Sequence, residues 1–348
     1  MTIIDQTVAP ARDDDLVRIA AKLTRDLNVA KPLIFWTDLL CSVLLGYAGL
    51  ALACVASGVT PWIGGIVAVL VLYRAESFIH ELTHLKPSTV RGFYTAWNVL
   101  VGIPLMTPSF LYEGVHNLHH ARTRYGTAQD PEYLPLAGAS IGALSCFVML
   151  SALAPILLLV RFAILAPASM IAPVRRKVVA RYSALTINPA FRRVLPTGAF
   201  RRRWIISETI TSLWAIGIVI LTVAGLVSVR WLVIYLAVLA AIALLNQVRT
   251  LVAHLWESEG EPLSVTEQYL DTVNIPPPSM LPILWAPVGL RYHALHHLLP
   301  GIPYHGLAEA HRRLLAVLPV SSAYHRSNQT GLWPTVKIIL VRDHKACL

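Results

Sequence analysis

Charge is what this sequence has least of. Only 14% of its 348 residues are Asp, Glu, Lys or Arg, 55% are hydrophobic, and the mean hydropathy is +0.59. That balance excludes an ordinary soluble globular enzyme and leaves a membrane protein as the class. Cysteine is scarce: Cys41, Cys54, Cys146 and Cys347 make no CxxC and no close pair. Neither a disulfide framework nor a thiolate metal site follows, and cysteines buried in the membrane part are expected. No haem-binding His-Pro-Gly-Gly, no CxxC iron–sulfur pattern and no Gly-rich dinucleotide fingerprint occurs, so any redox chemistry needs electrons from a separate donor. The net charge of +10 comes without a nucleic-acid motif and lies largely beside apolar segments, which fits anionic lipid headgroups and argues against nucleic acid.

What is present is apolar sequence in long runs. Residues 33–58 and 61–79 are nearly continuous, broken at Gly58-Val59-Thr60, and 204–229 and 231–252 form a second pair joined near Arg230. Each run matches the ~20 residues that cross a bilayer, which predicts an all-α, multi-pass protein with four transmembrane helices in two hairpins. Residues 97–111, short and interrupted by Pro104 and Pro108, are expected to be re-entrant or interfacial. Residues 141–171, containing Pro155, Arg161 and Pro167, are expected to lie along the surface or to make a hairpin that returns. Nine basic residues and no acid fall between 174 and 203, the pattern of a cytoplasmic loop and a docking surface for an acidic partner. The organisation read from this is a cytosolic lead-in over 1–32, a membrane domain over 33–317 and a cytosolic tail over 318–348.

Histidine carries the chemistry. Eight of the thirteen fall into three clusters: His80 and His84 in His-Glu-Leu-Thr-His, His116, His119 and His120 in His-Asn-Leu-His-His, and His293, His296 and His297 in His-Ala-Leu-His-His. Residues three and four apart share a helix face, so each cluster aims its imidazoles one way. Scattering thirteen histidines over this length gives about 0.02 occurrences of HxxHH by chance, and there are two. The four-span topology brings the ends of the second and fourth spans to one membrane face, on the cytosolic side, so the three clusters and His254 can meet there. Nine imidazoles exceed the three or four that one ion takes, which points to two metal ions. Imidazole alone does not choose the metal. A site at the end of a membrane bundle meets alkyl chains, however, and attack on an unactivated C–H bond calls for a redox metal and dioxygen, which favours iron.

The boxes HELTH, HNLHH and HALHH, in this order and spacing, resemble those of the membrane fatty-acid desaturase and hydroxylase superfamily. The runs Tyr125-Gly126-Thr127, Asp130 to Pro135, Pro287 to His293 and Pro303-Tyr304-His305 are similar to bacterial fatty-acid desaturases, and the likeness extends from about His80 to His311. The resemblance implies a mushroom-like all-α fold with four membrane spans and a cytosolic helical cap that holds a di-iron centre of two Fe ions, ligated by His80, His84, His116, His119, His120, His293, His296 and His297. His254 matches the isolated histidine after the last span. It implies oxygen-dependent desaturation of a lipid acyl chain, with hydroxylation or ketolation of an alkyl or isoprenoid chain as the alternative. A separate ferredoxin or cytochrome b5-like donor and a bacterial cytoplasmic membrane, with the histidines on the cytosolic face, complete the expectation. Thr250 departs from relatives that place asparagine four residues before the isolated histidine.

Three other readings fit less of the sequence. His80-Glu81-xx-His84 is formally the HExxH of zinc peptidases, which leaves two clusters idle. Glu81-xx-His84 and Glu113-xx-His116 match the Glu-x-x-His of soluble di-iron bundles, but among the remaining spans only Glu208 offers a further glutamate. A transporter or metal sensor would need exchange of the metal. Glu81, Asp130, Glu132 and Glu267 are candidates to orient imidazoles. Arg74 and Glu76 read as a structural pair, and His305 and His311 as supporting residues.

Overall fold

A computed structural model describes residues 13–86 and 88–341; Cys347 lies outside them. All regular elements among these residues are helical, and the β pairings are isolated bridges. The first hairpin is Pro32–Val55 against Thr60–His84. Its helices meet backbone to backbone. A Cβ on Gly64 would sit 2.7 Å from the amide nitrogen of Ala53 and the carbonyl of Gly49, and one on Gly49 would sit 2.9 Å from Ala68 N and Gly64 O. Small residues on the facing stripe permit this approach, which matters in lipid, where van der Waals contact rather than water exclusion holds helices together. The second hairpin is Gly198–Val223 and Val229–Leu251.

Residues 97–111, expected to be re-entrant or interfacial, fold back on themselves and do not form a span-length helix. After the helix Phe93–Trp97 and a π turn over Asn98–Gly102 the chain reverses at 103–106 and comes back on itself, held by Asn98, whose amide nitrogen donates to Ser109 Oγ at 2.9 Å while its carbonyl accepts from Ser109 N at 2.9 Å. Its freed carbonyls are bonded by membrane tyrosines: Tyr47 donates to Leu100 O at 2.8 Å and Tyr235 to Pro104 O. Tyr235 is sixteen residues before Leu251, about 24 Å along the helix, so the loop plugs deep between the hairpins with its backbone satisfied by protein.

The stretch expected to lie flat or fold back is one continuous helical run, Ile141–Ala168, and does not form a returning hairpin. It tightens to 3-10 geometry at Leu150–Leu153, ahead of Pro155, and widens to a π turn at Arg161–Leu165. Five helices therefore have the length and apolarity of a span, where four crossings were expected. This one is held to the histidine end of the bundle near both of its extremities. Leu144 packs with Leu251, Val252 and Trp256. Arg161 donates to Tyr182 O at 2.7 Å and to Ser183 Oγ at 2.9 Å, and pairs with the buried Glu208. Ile156, Leu157, Val160 and Ile164 face outward.

Two further expectations are corrected. Arg74 pairs with Asp38 across the first hairpin (Nε–Oδ1 2.7 Å), not with Glu76, because hairpin closure brings Asp38, which also accepts from the Tyr304 hydroxyl at 3.0 Å, within reach of its guanidinium. Cys41 and Cys146 are exposed and Cys54 half-exposed, all free, on outward apolar faces rather than buried in the core.

Above the histidine end, the cap is built from Asp13–Leu23, Val265–Asp271, His293–Leu298 and Tyr304–Val317. Leu16, Ala20, Leu295, Leu307, Leu314 and Tyr324 share one apolar cluster, and Ile339 joins another with Tyr133 and Leu144. Both ends of the described chain thus pack into the cap.

Candidate metal centre

The elements deliver nine histidines to one place by local rules. His80 and His84 are one turn apart at the end of Thr60–His84. His116, His119 and His120 sit on a single turn, His116–His119, and its cap. His254, three residues beyond Leu251, is fixed by extended pairing: Leu255 N bonds Asp271 O at 2.7 Å and Val273 N bonds Ala253 O at 2.9 Å. The third box joins the same ladder through Ala294 N to Val273 O at 3.2 Å, and buried Asn274 accepts from Leu295 N at 2.9 Å.

The ring nitrogens gather in two groups, His80, His84, His116, His120 and His296 in one, and His119, His254, His293 and His297 in the other, each with one nitrogen per residue within 4.8 Å of all the rest. Box two sends its outer pair, His116 and His120, to the first group and His119 to the second. Box three does the reverse.

Several Nε2 atoms face one another: His296 to His84 at 3.1 Å and to His120 at 3.2 Å, His293 to His254 at 3.1 Å and to His297 at 3.2 Å. Nitrogens bonded about 2.1 Å from one ion at right angles lie about 3 Å apart, so the spacing suits ligands of shared ions. Both ring nitrogens of His80 and Nε2 of His119 are buried without a hydrogen-bond partner. A buried polar atom left so is costly, and a metal bond relieves it.

The opposite ring edges are held. His119 Nδ1 donates to the fully buried Asp130 carboxylate at 2.9 and 3.0 Å, and Gly126 N and Glu132 N donate to the same carboxylate. His116 Nδ1 meets Glu132 Oε1 at 3.0 Å and the Tyr112 hydroxyl at 2.9 Å. The Tyr125 hydroxyl, 3.0 Å from His254 Nδ1, donates to Asp271 Oδ2 at 2.7 Å. Such partners fix tautomer and aim for metal binding. Burial, followed by neighbouring histidines, pushes His116, His120, His293, His296 and His297 well below the ordinary imidazole range. They are neutral and ready to donate a lone pair. His119 is opposed by burial, but the charge and hydrogen bond of Asp130 outweigh it and raise its pKa. Burial lifts Glu132 and Asp271 to about 7.

With this geometry in view, comparison with known proteins is decisive. The fatty acid desaturase family model matches residues 57–328. The chain belongs to that family. It is also 46% identical over 325 residues to a ceramide hydroxylase of Caulobacter vibrioides, covering 93% of this chain and 92% of the relative. The family is a histidine-box di-iron one, and the two histidine groups suit that pair of metals. An integral membrane di-iron lipid oxidase, dependent on an electron donor, is what membership establishes.

Within the desaturase-family framework, the supporting carboxylates divide. Asp130 and Glu132 touch imidazoles, as expected. Glu81 instead accepts from Tyr304 N at 3.1 Å and stands 3.9 Å from His80 Nδ1. Glu267 closes a capping box with Ser264 and touches no histidine ring, because its N3 position turns it back onto the N-cap. Glu113 is turned outward to Arg203 (2.6 Å) and Tyr94 (2.9 Å). His305 accepts from Lys31 N at 3.1 Å and His311 meets the Tyr324 hydroxyl at 2.7 Å, both supporting contacts. Asp271, Tyr112 and Tyr125 escaped sequence reasoning. Asp271 works through Tyr125, 146 residues away, and no local spacing signals such a pair.

Proposed function

We propose that this chain is a lipid hydroxylase acting on a ceramide or ceramide-like chain. In this reading His80, His84, His116, His120 and His296 hold one iron, and His119, His254, His293 and His297 the other. The sequence alone favours acyl-chain desaturation; the near-full-length similarity to the ceramide hydroxylase carries the choice of hydroxylation. When bound, the iron pair supplies dioxygen activation and the oxidising power to break an unactivated C–H bond.

The protein's own groups do the rest. Asp130, Glu132 and the Asp271–Tyr125 pair keep the proton on the far nitrogen of His119, His116 and His254, so that each presents the other nitrogen as a ligand. Of the nine histidines gathered here the cap buries all but His84 and His120, which are half-buried, and so limits water at the reacting end of the chain. Hydroxylation consumes dioxygen, two electrons and two protons, and yields the alcohol and one water. Desaturation consumes the same and yields an alkene and two waters. The electrons come from a separate ferredoxin or cytochrome b5-like protein, for which the basic stretch over 175–203 is the docking candidate. The histidine end faces the cytosol on this reading.

The test is mass spectrometry of the product formed from a defined ceramide under labelled dioxygen. Gain of one labelled oxygen supports hydroxylation. Loss of two hydrogens without added oxygen makes the chain a desaturase.

A further inference from the structure

A wide space lies within the membrane part of the molecule, away from the histidines. It is a groove of about 850 Å³ between the first hairpin and the helix Val229–Leu251, with Pro61, Gly65 and Leu70 on one wall and Arg230, Val233 and Ala241 on the other. At the rise of a helix its walls measure about 14 Å from Pro61 to Leu70 and about 16 Å from Arg230 to Ala241. That is the depth of one leaflet, about 15 Å of a ~30 Å hydrocarbon core. Toward the histidine end the helices close, with Leu72, Tyr73 and Ile242 buried, and Leu70 stands about 15 Å along its helix from His80. A chain lying in the groove is therefore not the chain that is oxidised.

The groove opens at the far face of the bundle. Arg230 is the one charged residue that lines it, and the two turns at this face, 55–66 and 224–235, carry no acid. Arg230 is exposed, and its Nη2 reaches across to Ala56 O, at the turn of the first hairpin, at 3.4 Å. The guanidinium thus spans the mouth of the groove on one long hydrogen bond, with most of its donors left over. Trp62 and Trp231, 74% and 44% exposed, stand beside the mouth, as aromatic anchors do at the level of lipid headgroups.

These features set two demands on an occupant. The walls are apolar and concave, and in a bilayer, where packing rather than water exclusion drives association, they hold best a single hydrocarbon chain that follows the concavity. At the mouth a cation without a protein counter-charge attracts an anion, and a guanidinium fork matches phosphate oxygens in pairs. A molecule with a phosphate at one end and one leaflet's length of hydrocarbon behind it meets both demands. A second copy of this chain packed by the same face would set Arg230 against turns without an acid.

We propose that this groove is a site for a resident anionic phospholipid of the leaflet opposite the histidines, with one acyl chain between Pro61–Leu70 and Arg230–Ala241 and its phosphate held by Arg230. The site is separate from that of the oxidised lipid and does not depend on the hydroxylase reading. Its place gives it a task. Thr60–His84 ends in His80 and His84, and Val229–Leu251 leads into His254. A chain wedged between the far halves of these two helices braces the elements that deliver histidines to both metal groups.

The experiment uses full-length, iron-loaded protein in mild detergent, with phosphatidylglycerol and phosphatidylcholine of identical chains as probes, and native mass spectrometry reads the lipid retained per chain. The wild type should hold one phosphatidylglycerol and bind it about fivefold tighter than phosphatidylcholine, the worth of one arginine on one anionic headgroup. Arg230→Gln should erase that preference and Arg230→Lys should keep part of it. A Cβ on Gly65 meets nothing within 4 Å, so Gly65→Leu fills the groove without a clash and should lose both lipids with two irons per chain retained. Adding phosphatidylglycerol to lipid-stripped protein should raise the melting temperature of the wild type and leave that of Gly65→Leu unchanged. Equal binding of the two probes by the wild type, a preference that survives Arg230→Gln, or a lipid still held by Gly65→Leu overturns the proposal. If Gly65→Leu fails to fold, Val233→Phe fills the groove from the facing wall and is judged by the same criterion. Displacement of phosphatidylglycerol by short-chain ceramide makes the groove part of the substrate site, and a dimer that Gly65→Leu splits with the lipid count unchanged makes it an interface between copies; either result overturns the proposal.

Discussion

Replacing Asp130 by asparagine removes one negative charge and one acceptor from a site where both oxygens are committed. Oδ1 accepts from His119 Nδ1 at 3.0 Å and Glu132 N at 2.8 Å, and Oδ2 from His119 Nδ1 at 2.9 Å and Gly126 N at 2.9 Å. An asparagine has a single oxygen, and whichever way it turns, its NH2 faces another donor. One buried N–H is left unsatisfied, at about 1–3 kcal/mol of stability. The imidazole also loses the anion that makes it a better ligand; loss of such an outer partner lowers metal affinity about 10- to 100-fold, or about 1.4–2.8 kcal/mol. The assay is a chelator titration of purified protein, reading iron retained per chain. The Asp130→Asn midpoint should fall to about one-tenth of the wild-type chelator concentration or lower, with the helices still inserted, and His119→Ala should fall further. An unchanged midpoint with full iron would refute the idea that this carboxylate sets the ligand.

Gly289→Ala should cost about 2 kcal/mol or more: its φ is +72° and the new Cβ would lie 2.8 Å from Leu307 Cδ1 and 3.0 Å from Tyr304 Cα, so the unfolding midpoint in detergent and the iron content should both drop. Glu208→Gln unpairs the buried Arg161, a loss of about 3–5 kcal/mol for a broken buried pair, read as greater protease sensitivity of the 169–197 segment. Glu267→Ala removes only a capping contact, so a loss of about 1 kcal/mol with two irons retained is expected, and iron loss would contradict the assignment. Burial, with help from Arg291 and His325, lowers His311 to about 4 from an ordinary 6.5. Below pH 6.5 the unfolded chain takes up a proton that the folded cap refuses, so stability falls between pH 6.5 and 4, by at most about 3 kcal/mol. Hydrogen exchange in the 304–317 helix at pH 5 and pH 7 should show this, and His311→Gln should flatten it.

The hairpins and the histidine convergence were legible because both are written in short-range pattern: apolar runs of bilayer length, and i, i+3, i+4 spacing. That 97–111 is not a simple span was legible from Pro104 and Pro108, though not which way the segment would fold. The course of 141–168 was not, since prolines in a sequence do not distinguish a kink from a reversal; here Pro155 and Pro167 are absorbed by tightened and widened turns within one helix. Arg74 was assigned to its neighbour Glu76 when its partner was Asp38, 36 residues away, a pairing decided by how the hairpin closes. Glu267 looked like an acid near a box, yet its Ser264-xx-Glu267 spacing already carried the cap signature. Asp271 had no such sign, because its link to His254 passes through Tyr125 and exists only once the cap has folded.

The crossed allotment of boxes two and three, each giving two rings to one ion group and one ring to the other, has a consequence for how the protein is populated. A distortion of either turn is felt at both positions at once, and filling one group stiffens the turns that shape the other. Occupancy should therefore be close to all-or-none, so that iron-starved cells hold a mixture of empty and doubly loaded chains with few between. For the same reason, no single loss within box two or three leaves a tidy one-metal descendant.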